Sequence, residues 1–296
     1  MIRYPVTRRE LRRRVSAHDP DWLAKAATRT QRFINQGKFN ERSHIWSDIK
    51  VVFMHLQHNK CVFCERALAG ERFGRGEHDL EHCRPKSSVK AWPTRKISRE
   101  RNINYTFGTG AASPTGYYWL AYDIQNYAAA CKPCNSALKS NYFPIADNRG
   151  GATATVRQLN QREKPFVIFP IGSVDDDPER LISFDGIVAI PKIARGHGRR
   201  RAQVTIDFFE LNNREELLND RFRVIESLWL ALKLRDASED RRDRQIARQM
   251  IKEMTSPDYP HASCARNFLA LYNRDPRGAW DVYGLARHNA RNEGRG

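Results

Sequence analysis

Cys61-Val62-Phe63-Cys64 and Cys131-Lys132-Pro133-Cys134 bracket the pair Glu81-His82, and the second knuckle runs directly into Asn135. Four thiolates satisfy the tetrahedral preference of Zn²⁺, and a two-residue gap lets both sulfurs of a tight turn reach one ion at about 2.3 Å. The 66 residues between Cys64 and Cys131 exceed what a simple zinc ribbon carries. The spacing therefore predicts zinc clamping the base of an inserted element. A disulfide reading conflicts with the start of the chain, Met1-Ile2-Arg3-Tyr4-Pro5, which has no basic region followed by an apolar run and cleavage site; a reducing cytoplasm is expected. Cys83 and Cys264 have no spaced partner and are assigned no role.

Inside the clamp stand residue types suited to phosphodiester hydrolysis. That reaction needs a base for water, a divalent cation to stabilise developing charge, and groups that hold the backbone in line. His82 suits the first task because its ordinary pKa lies near neutrality. Glu81 and Asn135 suit the second, because Mg²⁺ or Mn²⁺ takes oxygen ligands. Successive side chains of a strand point to opposite faces, so Glu81 and His82 share a site only where the strand ends or twists. Pro85 supplies such an ending. The run from Cys134 to Lys139 reads as the first turns of a helix entered through Pro133, with Asn135 and Lys139 on one face. The aromatic run Tyr117-Tyr118-Trp119-Leu120-Ala121-Tyr122 reads as a core strand, with Asn126 bracing the turn after it.

These residues carry a family resemblance. His82, Asn126 and Asn135, with the two knuckles, resemble the three signature positions of zinc-containing HNH endonucleases of the ββα-metal fold. Glu81-His82-Cys83-Arg84-Pro85-Lys86, the aromatic run, and Cys131 to Cys134 with Asn135, Lys139, Asn141, Phe143 and Pro144 are similar to the HNH component of Septu-type anti-phage defence systems. Weaker echoes lie in Trp46-Ser47-Asp48-Ile49-Lys50, Asp176-Asp177-Pro178 and Leu211-Asn212-Asn213-Arg214, so the likeness covers roughly residues 40 to 225. It implies His82 as general base, Glu81 and Asn135 as ligands of a catalytic Mg²⁺ or Mn²⁺, and Asn126 as the structural asparagine. Cys61, Cys64, Cys131 and Cys134 are implied to hold structural zinc. Arg84, Lys86 and Lys139 are the candidate phosphate contacts. Two positions depart from the pattern: Glu81 stands where many HNH enzymes carry Asp or His, and Ser140 where Gly often follows the helix lysine. The 44-residue separation of His82 and Asn126 is also long. Its excess, residues 87 to 116, reads as a basic surface excursion over the site.

Composition agrees with a polyanionic partner. The formal charge is +17, and residues 1 to 50 hold 12 Lys/Arg against 5 Asp/Glu. Lys192, Arg195, Arg199, Arg200 and Arg201 form a second basic segment; both segments are equally readable as solvated faces. No run approaches the ~18 apolar residues of a membrane span, so a soluble protein without membrane contact is expected.

The resulting expectation is an α+β chain: a zinc-stapled ββα-metal (HNH) core at 46–150, a basic helical arm at 1–45, an accessory strand-then-helix region at 151–275, and a flexible tail at 276–296. Within these, a helix is predicted from Trp22 to Phe33, strands at 166–171 and 181–190, and a helix from Leu217 to Leu234. An exposed salt-bridged helix is expected over 235–253, where six basic and five acidic side chains mix. The functional expectation is a metal-dependent HNH endonuclease acting on DNA or RNA in anti-phage defence. The alternative is a non-catalytic zinc module that binds nucleic acid. The sequence holds no Gly-x-x-x-x-Gly-Lys-Ser/Thr phosphate loop, so any ATP hydrolysis falls to a possible ATPase partner.

Overall fold

A computed structural model describes residues 1–70 and 76–293, with side chains described as far as residue 288. Helices dominate and the sheets are small. The N-terminal half contains α1 (Arg8–His18), α2 (Trp22–Gln36), α3 (Lys50–Leu56), β1 (His78–His82), α4 (Arg95–Glu100) and β2 (Tyr127–Cys131). A π-helical segment, Pro133–Lys139, follows β2. Then come α5 (Val156–Glu163), α6 (Pro178–Leu181), β3 (Ile182–Asp185), β4 (Val188–Pro191), α7 (Gly196–Phe208), α8 (Glu215–Ala237), α9 (Arg241–Met254), α10 (Ala262–Arg274) and α11 (Pro276–Glu293). Among the described residues, no helix is long and apolar enough to cross a membrane.

Helix ends follow their capping chemistry. Thr7 caps α1 by accepting from the Glu10 amide, and Gly37 closes α2 at φ 65°, a left-handed conformation that glycine adopts without steric cost. Asp177 caps α6, so the acidic run before Pro178 acts as a helix start.

β1 and β2 pair antiparallel, with His78 opposite Cys131 and His82 opposite Tyr127. Buried Gln57, just past α3, holds this pair to the first knuckle. Its amide donates to the carbonyls of Lys60 (2.9 Å) and Ala129 (2.8 Å), and its oxygen accepts from the Ala129 amide (2.8 Å). The Val62 amide adds a bond to the Ala129 carbonyl at 3.1 Å.

One apolar core runs from Met1 to Leu217 and crosses the expected boundaries at 45 and 150. A second core joins Ile187 and α8 to α9, α10 and α11. Residues 151 to 211 therefore complete the main core.

Several sequence expectations are corrected. The aromatic run at 117–122 is a turn, with the 3₁₀ segment Tyr118–Leu120; Leu120 and Ala121 bond back to Tyr117 (2.9 Å) and Tyr118 (3.2 Å), and the Tyr117 amide reaches the Pro85 carbonyl at 2.8 Å, so the run forms no ladder. Residues 166–171 are buried but form no named strand. The Ile168 amide bonds to the Thr205 hydroxyl, and Ile171 makes a single bridge to Tyr4. The expected strand at 181–190 is the hairpin β3–β4, which turns at Gly186 with φ 55°.

The excursion at 87–116 is packed rather than loose. Trp92 is buried against Phe208 at 4.9 Å, and the Tyr105 hydroxyl donates to Asp207 at 2.6 Å. Helix α9 is amphipathic and buries Ala247, Ile251 and Met254, so it belongs to the second core. The expected flexible tail is α11, in which Ala279, Tyr283 and Ala286 pack beneath α8 and α10; residues 294–296 lie outside the described residues.

Candidate functional site

The four knuckle sulfurs converge. The ligand atoms of Cys61, Cys64, Cys131 and Cys134 all lie within 4.8 Å of one another and all four residues are buried. Cys64 Sγ and Cys131 Sγ stand 3.8 Å apart. A tetrahedron of 2.3 Å Zn–S bonds has edges of about 3.8 Å, whereas a disulfide brings its sulfurs to about 2.05 Å. Burial raises the pKa of Cys64 and Cys134, whereas hydrogen bonds from Cys134, Cys61 and Cys64 push that of Cys131 far down. So close a buried set ionises fully only around a cation, and its soft donors fit Zn²⁺. Arg214, at the start of α8, donates to Cys134 Sγ at 3.2 Å and places a buried positive charge beside the sulfurs.

A cavity of about 460 Å³ lies against β1, with walls that include Glu81, His82, Lys86, Asn135, Trp46 and Asp79. His82 is the last residue of β1, and this position lets it share the cavity with Glu81. Its ring meets Trp46 and Tyr127 edge-on at 4.8 and 4.9 Å. Nε2 lies 3.0 Å from the Ala121 carbonyl oxygen. A carbonyl only accepts, so Nε2 carries the proton and Nδ1 keeps the lone pair. Burial lowers the His82 pKa well below the usual imidazole value; Lys86 acts in the same direction and the Ala121 carbonyl opposes. The imidazole is therefore neutral at neutral pH.

Asn126 is buried and braces the chain leaving β1. Its side-chain oxygen accepts from the Arg84 amide at 2.8 Å, and its NH₂ donates to the carbonyls of Arg84 (3.0 Å) and Leu120 (3.3 Å).

The three candidate phosphate contacts separate. Lys86 lines the cavity, with Nζ 4.4 Å above the Trp46 ring, and burial lowers its pKa against the pull of Glu81. Lys139 has no exposed side-chain surface and is ion-paired to Glu81 at 2.5 Å, so its charge is spent holding that carboxylate. Burial raises the Glu81 pKa, and Lys139 pulls it back. Arg84 is also buried, ion-paired to Glu163 and bonded to Asn160 at 2.7 Å. In this arrangement Lys139 and Arg84 are both engaged by buried carboxylates.

Each of these two cations meets a carboxylate from the interior. For Lys139, the π-helical geometry also replaces the α-helical spacing behind the expected shared face. Arg201 of the second basic segment is likewise buried, on Asp175 and Asp176. Replacing Arg84 with Ala strands Glu163 without its ion-pair partner and is expected to cost about 3–5 kcal/mol. A urea midpoint lowered without a change in slope checks this.

Sequence reasoning missed Asp79, although its signal was present: it stands two residues before Glu81 and therefore on the same strand face. It also missed His44, which stacks on Trp46 at 3.9 Å beside His82.

Apart from the cysteines, no group of three or more His, Cys, Asp or Glu among the described residues converges within the same distance. A divalent cation in the cavity would thus be held by few protein atoms: the Glu81 carboxylate and the Asn135 amide oxygen. That hard, sparse donor set fits Mg²⁺ or Mn²⁺, which keep waters and substrate oxygens in the remaining positions.

The chain is 24% identical over 208 residues to Septu protein PtuB of Bacillus mycoides (strain KBAB4), a match covering 70% of this chain and 60% of that protein. The chain thus matches less than two thirds of its relative's length. No family model matches, and no solved structure matches significantly.

Proposed function

We propose that this chain is a zinc-stabilised, divalent-metal-dependent nuclease of the HNH type, serving a Septu-like anti-phage defence system. The observation that carries the reading is His82: a buried, neutral imidazole with one nitrogen fixed by a main-chain carbonyl, in the same cavity as Glu81 and Asn135. The antiparallel β1–β2 pair, the helical segment after it and the adjoining sulfur cluster support the same reading. The similarity to Septu protein PtuB supports the biological role.

In this mechanism His82 Nδ1 takes a proton from the attacking water, and the carbonyl of Ala121 steadies the imidazolium that forms. Lys86 draws a phosphate oxygen into the cavity. Glu81 and Asn135 would hold the divalent cation, and Lys139 keeps the Glu81 carboxylate in place. When bound, that cation supplies charge stabilisation at the phosphate and the leaving oxygen. Asn126 keeps the chain after His82 in register with β2. The mechanism contacts phosphate rather than base edges, so DNA and RNA are both candidate substrates.

The test is incubation of the purified chain with duplex DNA, single-stranded DNA and structured RNA in Mg²⁺ or Mn²⁺, alone and with the product of an adjacent ATPase gene. Cleavage in the presence of metal that stops with a chelator is expected. Salt-dependent binding without product in every arm supports the non-catalytic zinc module instead. Cleavage that needs the second protein assigns an ATPase partner a controlling role.

A further inference from the structure

Asp79 sits on β1 opposite Ala130, on the strand face that also carries Glu81, and it lines the same cavity. Its Oδ2 accepts two hydrogen bonds, from Asn135 Nδ2 at 2.9 Å and from Lys132 Nζ at 2.6 Å. A carboxylate oxygen accepts, so the Asn135 atom facing it must be the NH₂ group. The amide oxygen, the only side-chain atom of Asn135 able to hold a cation, is consequently turned away from Asp79. Lys132 lies inside the second knuckle, between Cys131 and Cys134, so the zinc loop fixes one of the two bonds that hold Asp79. Both partners of that ion pair are partly exposed, with side-chain exposures of 46% and 34%. Such a pair adds little stability. Its value lies in orientation.

We infer that Asp79 is a positioning residue for the catalytic cation: it locks the Asn135 amide so that its oxygen faces the cavity, and Lys132 ties this lock to the zinc knuckle. The inference rests on the nuclease reading above. Without Asp79 the amide rotates freely and turns its NH₂ group toward the cation for part of the time. Partners of this kind, one bond removed from a metal, change affinity by about 10–100-fold when lost.

The experiment measures Mn²⁺ binding to the full, zinc-loaded chain by electron paramagnetic resonance, with zinc content determined in parallel. Asp79→Ala is expected to weaken Mn²⁺ binding by about 10–100-fold at unchanged zinc content. In an Asn135→Ala background, Asp79→Ala is expected to add no further loss, because there is no amide left to orient. A loss of the same size in that background makes Asp79 a direct ligand and overturns the inference, as does unchanged binding in the single variant. Should Asp79→Ala fail to retain zinc, Asp79→Asn decides. It keeps the volume but weakens the acceptor, so a several-fold loss that vanishes with Asn135→Ala supports the inference, and no loss overturns it. A wild-type chain with no Mn²⁺ site sensitive to Glu81→Gln sinks the nuclease reading and this inference together. Wild-type binding with unaffected Asp79 variants sinks the inference alone.

Discussion

His82→Ala is expected to lower the rate of metal-dependent cleavage by about 10²–10⁴-fold, the usual contribution of a positioned base. Zinc content should be unchanged, because the imidazole shares no ligand with the four sulfurs. Mn²⁺ affinity should also be held, since the cation's donors are Glu81 and Asn135. A nuclease assay beside metal analysis separates these outcomes, and cutting at the wild-type rate removes His82 from the mechanism.

The pH dependence gives a second readout. The His82 pKa is lowered in the folded chain, first by burial and then by Lys86, so the base is already unprotonated at and somewhat below pH 6.5. The acid limb of kcat/KM due to this group should therefore lie below the ordinary imidazole range. Stability follows the same sign. As pH falls from the unfolded imidazole pKa of about 6.5 toward the lower folded value, the unfolded chain takes up a proton that the folded chain refuses, so His82 lowers stability over that window. In His82→Ala this component of the acid loss should vanish, which a comparison of urea midpoints across the window detects.

What the sequence disclosed divides according to the range of the interactions. The four-cysteine cluster was readable because Cys-x-x-Cys spacing is a local consequence of coordination geometry, α2 from the helix start at Asp19-Pro20, and α8 from apolar periodicity. Asn126, expected to brace the turn after the aromatic run, instead bonds back to Leu120 and across to Arg84, 42 residues away.

The errors arose where distant partners decide. Nothing near Arg84 announces Glu163, and nothing near Lys139 announces that a π-helical turn will carry its ammonium inward onto Glu81. Arg84 was read as a phosphate contact beside the Glu81-His82 pair, and Lys139 from its helical spacing to Asn135. The aromatic run at 117–122 was correctly judged buried but misjudged as a strand. Burial follows from composition, whereas strand pairing needs a neighbouring edge, which β1 offers to Tyr127–Cys131. Likewise the glycines at 278 and 284 suggested a loose tail, yet Trp229 stacks on Tyr283 at 5.2 Å and supplies the packing that holds α11.

Zinc removal is expected to cost the chain its fold around the site, not merely its activity. Structural zinc bound by four cysteines contributes an apparent ~10–16 kcal/mol, comparable with the whole stability of an ordinary domain at about 5–15 kcal/mol. The four sulfurs come from the turn after α3, the end of β2 and the π-helical segment, so loss of an ion held between them would free both ends of the contact that Gln57 and Val62 make with Ala129. It also costs the buried Arg214 guanidinium its metal-held thiolate acceptor, Cys134, leaving it the ion pair with Glu216. Cys64→Ala and Cys131→Ser should each abolish stoichiometric zinc and lower the melting temperature far more than His82→Ala does. Cys83→Ser and Cys264→Ser provide the internal control. Burial raises both of those thiols to about 12, which keeps them protonated and poor ligands, and neither belongs to the sulfur cluster. One zinc per chain should persist in both. Elemental analysis with thermal melts of the wild type and the five variants decides the matter, and a zinc-free Cys131→Ser chain that melts like the wild type would remove the metal from the account of the fold.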